Sequence, residues 1–201
     1  MSVRRALVVC TIALPVLVFH PPAAAGAKKE LAFVTPPGLP TLAAVTLNAK
    51  SQTVNATMTN FAVKDTRGTA SGWNVTVSGQ SGEKMSAVLA QYCPKAKCGG
   101  DAEGYVAGGH KLAANSLTLN STGAKFVGGS GSSPTLPCSG GCNVDSASPV
   151  KVASATNGEE TWTTSGFSAT SLALAVPTTL FALANEEVYH VSILWTLSTG
   201  P

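Results

Sequence analysis

Apolar and polar residues alternate through most of this chain. Near the carboxyl end, Tyr189, Val191, Ile193, Trp195 and Leu197 fall on one side, and His190, Ser192, Leu194, Thr196 and Ser198 on the other. Successive strand side chains point to opposite faces, so this run predicts one long last strand with a buried face and a mostly polar face. Trp73, Val75 and Val77 alternate with Asn74, Thr76 and Ser78 in the same way. Val54, Ala56 and Met58 share a face, whereas Phe61 and Val63 have the opposite phase. A bulge or short turn between Thr59 and Asn60 would account for the shift. Val45 with Leu47, Leu117 with Leu119, and Leu172 with Leu174 and Val176 extend the series.

Helical spacing is thin. Met85, Val88 and Leu89 suit one or two helical turns within 82–91, and 180–185 suits another brief turn. Turn signals recur at Pro36-Pro37-Gly38, Gly99-Gly100, Gly108-Gly109, around Gly128 to Gly131 and at Asn157-Gly158. Short strands separated by such turns predict an all-β, antiparallel β-sandwich, immunoglobulin-like or related. Each sheet of a sandwich offers one face to a shared core, which is what period-two alternation requires. Residues 88–148, rich in Gly, Ser, Ala and Pro, read as a long loop-rich insertion enclosing a short strand at Leu117 and Leu119.

The first residues carry a different pattern. Arg4 and Arg5 precede an apolar run from Ala6 to Phe19, and Ala23-Ala24-Ala25 offers small residues for cleavage before Gly26. This is the order of a secretory signal peptide over 1–25. The run falls short of the roughly 20 residues that span a bilayer, so the mature form is expected to have no integral membrane segment. Residues 26–201 then form a single domain with enough chain for a real core. The whole sequence has 13 Lys and Arg against 10 Asp and Glu, a net charge of +3. Removing Arg4 and Arg5 with the leader brings the domain close to neutral. With no basic cluster, nucleic-acid binding has no support.

Cysteine usage fits export. Outside the leader stand Cys93, Cys98, Cys138 and Cys142, which allow three pairings. Their close spacing favours Cys93–Cys98 and Cys138–Cys142, each closing a small ring that pins a loop. Four thiolates around zinc are the alternative, but the intervals and an oxidising destination favour disulfides.

Candidate catalytic groups are sparse. The histidines outside the leader are His110, after Gly108-Gly109, and His190, on the polar side of the last strand near Glu186 and Glu187. His190 reads as a lone surface histidine and His110 as part of a turn. No serine occupies a Gly-x-Ser-x-Gly elbow. Glu159-Glu160 places two carboxylates on opposite faces of a strand, not across a cleft as glycoside hydrolysis needs. Asp101, Glu103 and Asp145 lack the spaced oxygen ligands of a calcium loop. The expectation is a non-enzymatic protein with no cofactor and no metal.

Two segments carry a resemblance. Gly72-Trp73-Asn74-Val75-Thr76-Val77 and the terminal Leu194-Trp195-Thr196-Leu197-Ser198-Thr199-Gly200-Pro201 both contain Trp-x-aliphatic. With Tyr189 and Pro177 upstream of the second, the chain resembles the WxL domain family of Gram-positive cell-surface proteins. Val75 stands where the family motif has Leu, and the cysteine-bearing middle is not typical of members. The resemblance implies a secreted, cell-wall-associated protein that binds peptidoglycan or another wall polymer non-covalently, alongside other secreted surface proteins. The alternative is a structural or adhesin-like module that assembles with such proteins.

The motif residues Trp73, Asn74, Val75, Trp195, Thr196 and Leu197, together with Trp162, are therefore the candidate ligand-binding positions. Alternation places Trp73 and Trp195 on the apolar faces of their strands, which favours core packing over direct contact. Trp162, in Thr161-Trp162-Thr163-Thr164 with no apolar residue two positions away, is the better candidate for an exposed aromatic.

Overall fold

The structure, a computed structural model, describes residues 29–95, 98, 102–183 and 186–200, together with the backbone of 5–8. In chain order its strands are β1 (Arg5–Val8), β2 (Leu31–Thr35), β3 (Val45–Thr46), β4 (Gln52–Ala56), β5 (Ala62–Asp65) and β6 (Trp73–Gly79). They continue with β7 (Ala90–Cys93), β8 (Gly104–Tyr105), β9 (Leu117–Leu119), β10 (Lys125–Ser130) and β11 (Cys142–Asn143). The last are β12 (Val150–Ala155), β13 (Glu159–Ser165), β14 (Leu172–Val176), β15 (Val188–His190) and β16 (Ile193–Thr199). A single 3-10 turn, Pro137–Gly140, is the only helical element among the described residues.

These strands form sheets ordered β3-β1-β15-β7-β8, β10-β13-β5-β2, β11-β9-β14-β4 and β12-β6-β16. Every pairing is antiparallel except β1 with β15. The fold is all-β, as the alternation predicts. One continuous core lies between the sheets, built on Met58, Phe61, Val63, Trp73, Val75, Val77, Leu172 and Leu174. Phe126 of β10 joins two sheets at its centre. Its ring meets Phe61 edge-on at 5.8 Å and Trp73 at 5.7 Å. Edge-to-face contact suits the ring quadrupoles and adds to the area that burial removes from water.

The phase shift near Thr59 marks a change of sheet. β4 ends at Ala56 beside β14, and β5 begins at Ala62 beside β13. Side chains satisfy the crossing backbone: the Met58 N–H donates to Ser171 Oγ at 2.7 Å, and the Phe61 N–H to Thr164 Oγ1 at 2.8 Å. A buried N–H with no partner would be costly, so these hydroxyls let the chain leave one ladder for another.

The long last strand is corrected in the same way. β15 and β16 belong to different sheets, and Val191-Ser192 carries the chain between them. The alternation survives the crossing because both halves face the same core. The helical turn expected within 82–91 is also corrected. Gly82 and Met85 form a bridge, each N–H reaching the other's carbonyl at 3.3 Å, and β7 follows from Ala90. The three-to-four spacing there comes from a tight turn joined to an extended segment, with Leu89 buried and Met85 exposed.

Residues 88–148 contain more strand than expected, from β7 through β11, and β9 and β10 pair with β14 and β13. Their Gly and Ser content masks strands held by neighbours distant in sequence. The disulfides are Cys93–Cys98 and Cys138–Cys142. The second closes across the 3-10 turn and buries Cys138 against the core. Of the expected leader, the Arg5–Val8 backbone pairs with β3 and β15. Its cleavage point, between Ala25 and Gly26, lies outside the described residues.

Candidate functional site

The two Trp-x-aliphatic motifs, far apart in sequence, become adjacent strands. β6 is central in its sheet and β16 runs antiparallel along one side, with Trp73 opposite Thr199, Val75 opposite Leu197 and Val77 opposite Trp195. Fixed ends hold this register. Gly72 adopts φ +65°, and a side chain there would collide with the backbone of Ala155 and Thr156. Only glycine combines that conformation with so close an approach. The Gly72 carbonyl accepts from the Gly200 N–H at 3.2 Å, and Asn74 Nδ2 donates to the Gly200 carbonyl. Gly200 is thus tied back to the start of the first motif.

The pairing separates the candidate residues by exposure. Trp73 and Val75 are completely buried, and Asn74 is nearly so. Trp195 and Leu197 are half-buried against the core, while Thr196 and Ser198 face outward. Trp73 Nε1 and Asn74 Oδ1 are buried without a hydrogen-bond partner. Six of the seven candidates therefore lie on one strand pair.

Trp162 stands apart on β13, and the expectation that it is exposed is corrected: only 6% of its surface remains accessible. Its cover comes from glycine. Gly128 and Gly129 have positive φ in an irregular stretch of β10, and a side chain on Gly129 would strike the indole ring. Gly158 also approaches the ring, where a Cβ would come within 3.1 Å of Trp162 Nε1. Cross-strand neighbours such as Val63, directly opposite Trp162 on β5, do what residues two positions along the chain cannot.

His190 is corrected as well. It is buried on β15, where it stands opposite Ala90 of β7. Tyr105 Oη lies 2.7 Å from its Nδ1 and 2.9 Å from Ser192 Oγ, and the Tyr92 ring packs against the imidazole at 4.7 Å. Burial pushes the imidazole below its ordinary range, which favours the neutral ring. Tyr189 beside it donates to the Phe181 carbonyl at 2.9 Å, and burial pushes its phenol up to about 12. Asp145, weighed as a calcium ligand, is fully buried and accepts from the Ser116 and Leu117 N–H groups at 2.9 and 3.0 Å. Asp101 lies outside the described residues. Among the described residues no three His, Cys, Asp or Glu side chains gather as a metal site.

Alternation gave no sign of a surface feature elsewhere. His110 stacks on Phe181 with ring centroids 3.9 Å apart and planes 14° from parallel. Phe181, at 57% the most exposed large hydrophobic among the described residues, borders a cleft of about 280 Å³ with Lys111, Pro177 and Tyr189. Phe181 sits in an irregular connection between β14 and β15, where neither helix nor strand periodicity applies.

The WxL family model, described as a surface cell-wall-binding domain, matches residues 39–201. No curated protein and no solved structure matches the chain. WxL domains are non-catalytic binding modules of Gram-positive cell surfaces. Among the described residues no helix is long and apolar enough to cross a membrane. The match takes in β3 to β16, including both Trp-x-aliphatic strands, and the chain belongs to the WxL domain family.

Proposed function

We propose that this protein is exported by the leader at 1–25, that residues 26–201 act as one domain, and that this domain attaches non-covalently to peptidoglycan. The observation that carries the reading is the family match over nearly the whole folded chain, to a domain described by its binding to the cell wall. The two small disulfide rings accord with an oxidising, extracellular destination. Within the motif pair, Trp73, Val75 and Asn74 set the fold. Contact falls to the outward residues Thr196 and Ser198 and to exposed surface elsewhere.

Sedimentation with insoluble peptidoglycan tests this. Saturable retention of the folded protein supports the reading, and its absence overturns it.

One observation favours a second reading, assembly with another surface protein. β16 is an outer strand of its sheet and leaves Leu194 exposed. Such an edge can accept a partner strand. Co-purification of a second exported protein, without retention on peptidoglycan, would select this reading.

A further inference from the structure

Two clefts meet on one face of the molecule. The first is the approximately 280 Å³ cleft at His110, Lys111 and Phe181. The second, about 430 Å³, is lined by Ser51, Gln52, Thr53 and Ser116. Ala113 and Pro177 border both, so the two clefts adjoin on one stretch of surface, the trough.

The walls of the trough are held firmly. The Tyr189 hydroxyl donates to the Phe181 carbonyl at 2.9 Å. Beside it, the His110 N–H donates to Gln91 Oε1 at 2.9 Å, and the His110 carbonyl accepts from the Gln91 N–H at 2.8 Å. The Leu112 N–H continues that pairing to the Leu89 carbonyl at 2.9 Å. At the far end, the Ser116 N–H is held by buried Asp145. The exposed aromatic platform therefore stands on a rigid frame, which lowers the ordering cost of binding.

Its chemistry changes along its length. At one end the stacked Phe181 and His110 rings offer a flat apolar face, and Lys111 lines the same cleft. At the other, the polar residues Ser51, Gln52, Thr53 and Ser116 line the trough, with Gln52 Nε2 donating to the Thr46 carbonyl and Ser116 Oγ to the Ala113 carbonyl. A sugar ring has an apolar C–H face and a hydroxyl-rich rim, and a linear chain of them would match both ends.

We infer that this trough is the binding subsite for a linear glycan strand, with a sugar ring stacked on Phe181 and a neighbouring anionic substituent paired with Lys111. The inference rests on the wall-binding reading and assigns it a place. The anion has two sources with the same chemistry: carboxylates of peptidoglycan, or phosphates of a secondary wall polymer.

The test compares the purified, folded protein with Phe181→Ala, Lys111→Ala and the remote surface variant Val34→Ser on two solids. One is intact wall, and the other is peptidoglycan stripped of phosphate-bearing polymer. The subsite requires that Phe181→Ala raise the Kd about tenfold. Lys111→Ala should weaken binding and flatten its salt dependence, and Val34→Ser should bind as the parent does. Loss of the Lys111 effect on stripped material assigns the anion to phosphate, and its retention assigns it to carboxylate. Parent-like binding by folded Phe181→Ala and Lys111→Ala overturns the subsite and leaves the wall-binding reading standing. Failure of the parent on both solids overturns both. Titration with soluble wall-glycan fragments gives an independent readout: the His110 ring resonances shift saturably if the trough is occupied and stay unmoved if it is not.

Discussion

Trp195 stands directly opposite Val77 across the β6–β16 pair, so the second Trp-x-aliphatic motif begins where the strand carrying the first one ends. The motifs recognise each other before either can recognise a ligand. Trp73 is completely enclosed, whereas Trp195 is only half-buried. Replacing Trp73 by Ala should therefore destabilise the fold by about 3–5 kcal/mol, and Trp195→Ala by about 2 kcal/mol. Denaturant unfolding of the two variants checks both the size and the order.

Thr164 acts as a surrogate piece of backbone. It is fully buried, and its Oγ1 accepts from the Phe61 N–H at 2.8 Å and donates to the Phe61 carbonyl at 3.1 Å. Thr164→Val keeps the volume but strands the Phe61 N–H. The expected loss is about 1–3 kcal/mol in equilibrium unfolding. A change within a few tenths of parent would show that the crossing between sheets does not depend on this hydroxyl.

Arg67 clamps the connection that leads into the first motif. Its Nη2 lies 2.7 Å from Asp65 Oδ2 and 2.7 Å from the Gly72 carbonyl, and Nε lies 2.9 Å from Asp65 Oδ1. Asp65 is almost fully enclosed, so removing its partner leaves a buried carboxylate. Arg67→Ala should cost about 3 kcal/mol at neutral pH. The hydrogen-bonded guanidinium holds the Asp65 carboxyl below its usual range. In the parent this contribution is present above the unfolded carboxylate value and lost as pH falls through the native one. The gap between parent and variant should accordingly narrow in strong acid, which paired thermal melts across that range would reveal.

Much of the sheet structure was legible because alternation reports which face of a strand is buried. Trp73, Val75 and Val77 showed this plainly. What alternation does not report is which sheet a strand joins. Tyr189 and Trp195 share a phase yet lie in different sheets, since the chain crosses at Val191-Ser192 without a Gly or Pro to announce it. Burial from the other side was equally hidden. Trp162 is covered by glycines of another strand, and His190 by Tyr92 and Tyr105, contacts that local sequence does not encode. The trough at Phe181 lies where the chain is irregular and no period operates.

His190 makes the fold pH-sensitive in a defined direction. Burial lowers its native pKa, while the unfolded residue titrates near about 6.5. Between these values the unfolded chain binds a proton that the native state does not. Stability from this group is thus complete above about 6.5, falls as pH drops through that value, and levels off below the native pKa. Asp145, pushed upward by burial, slopes the opposite way at more acid pH. Comparing the melting temperature of parent and His190→Gln isolates the histidine: the parent should lose stability on mild acidification that the variant does not. Parallel curves would contradict the assignment.

On the proposed function, the motif tryptophans serve the fold while other surface residues hold the wall. The most direct measurement of that division is a binding isotherm on insoluble peptidoglycan for the parent and for Trp73→Phe, each verified as folded by circular dichroism. The expected result is saturable binding with superimposable isotherms. A parent that washes through, or a folded Trp73→Phe that no longer binds, would contradict it.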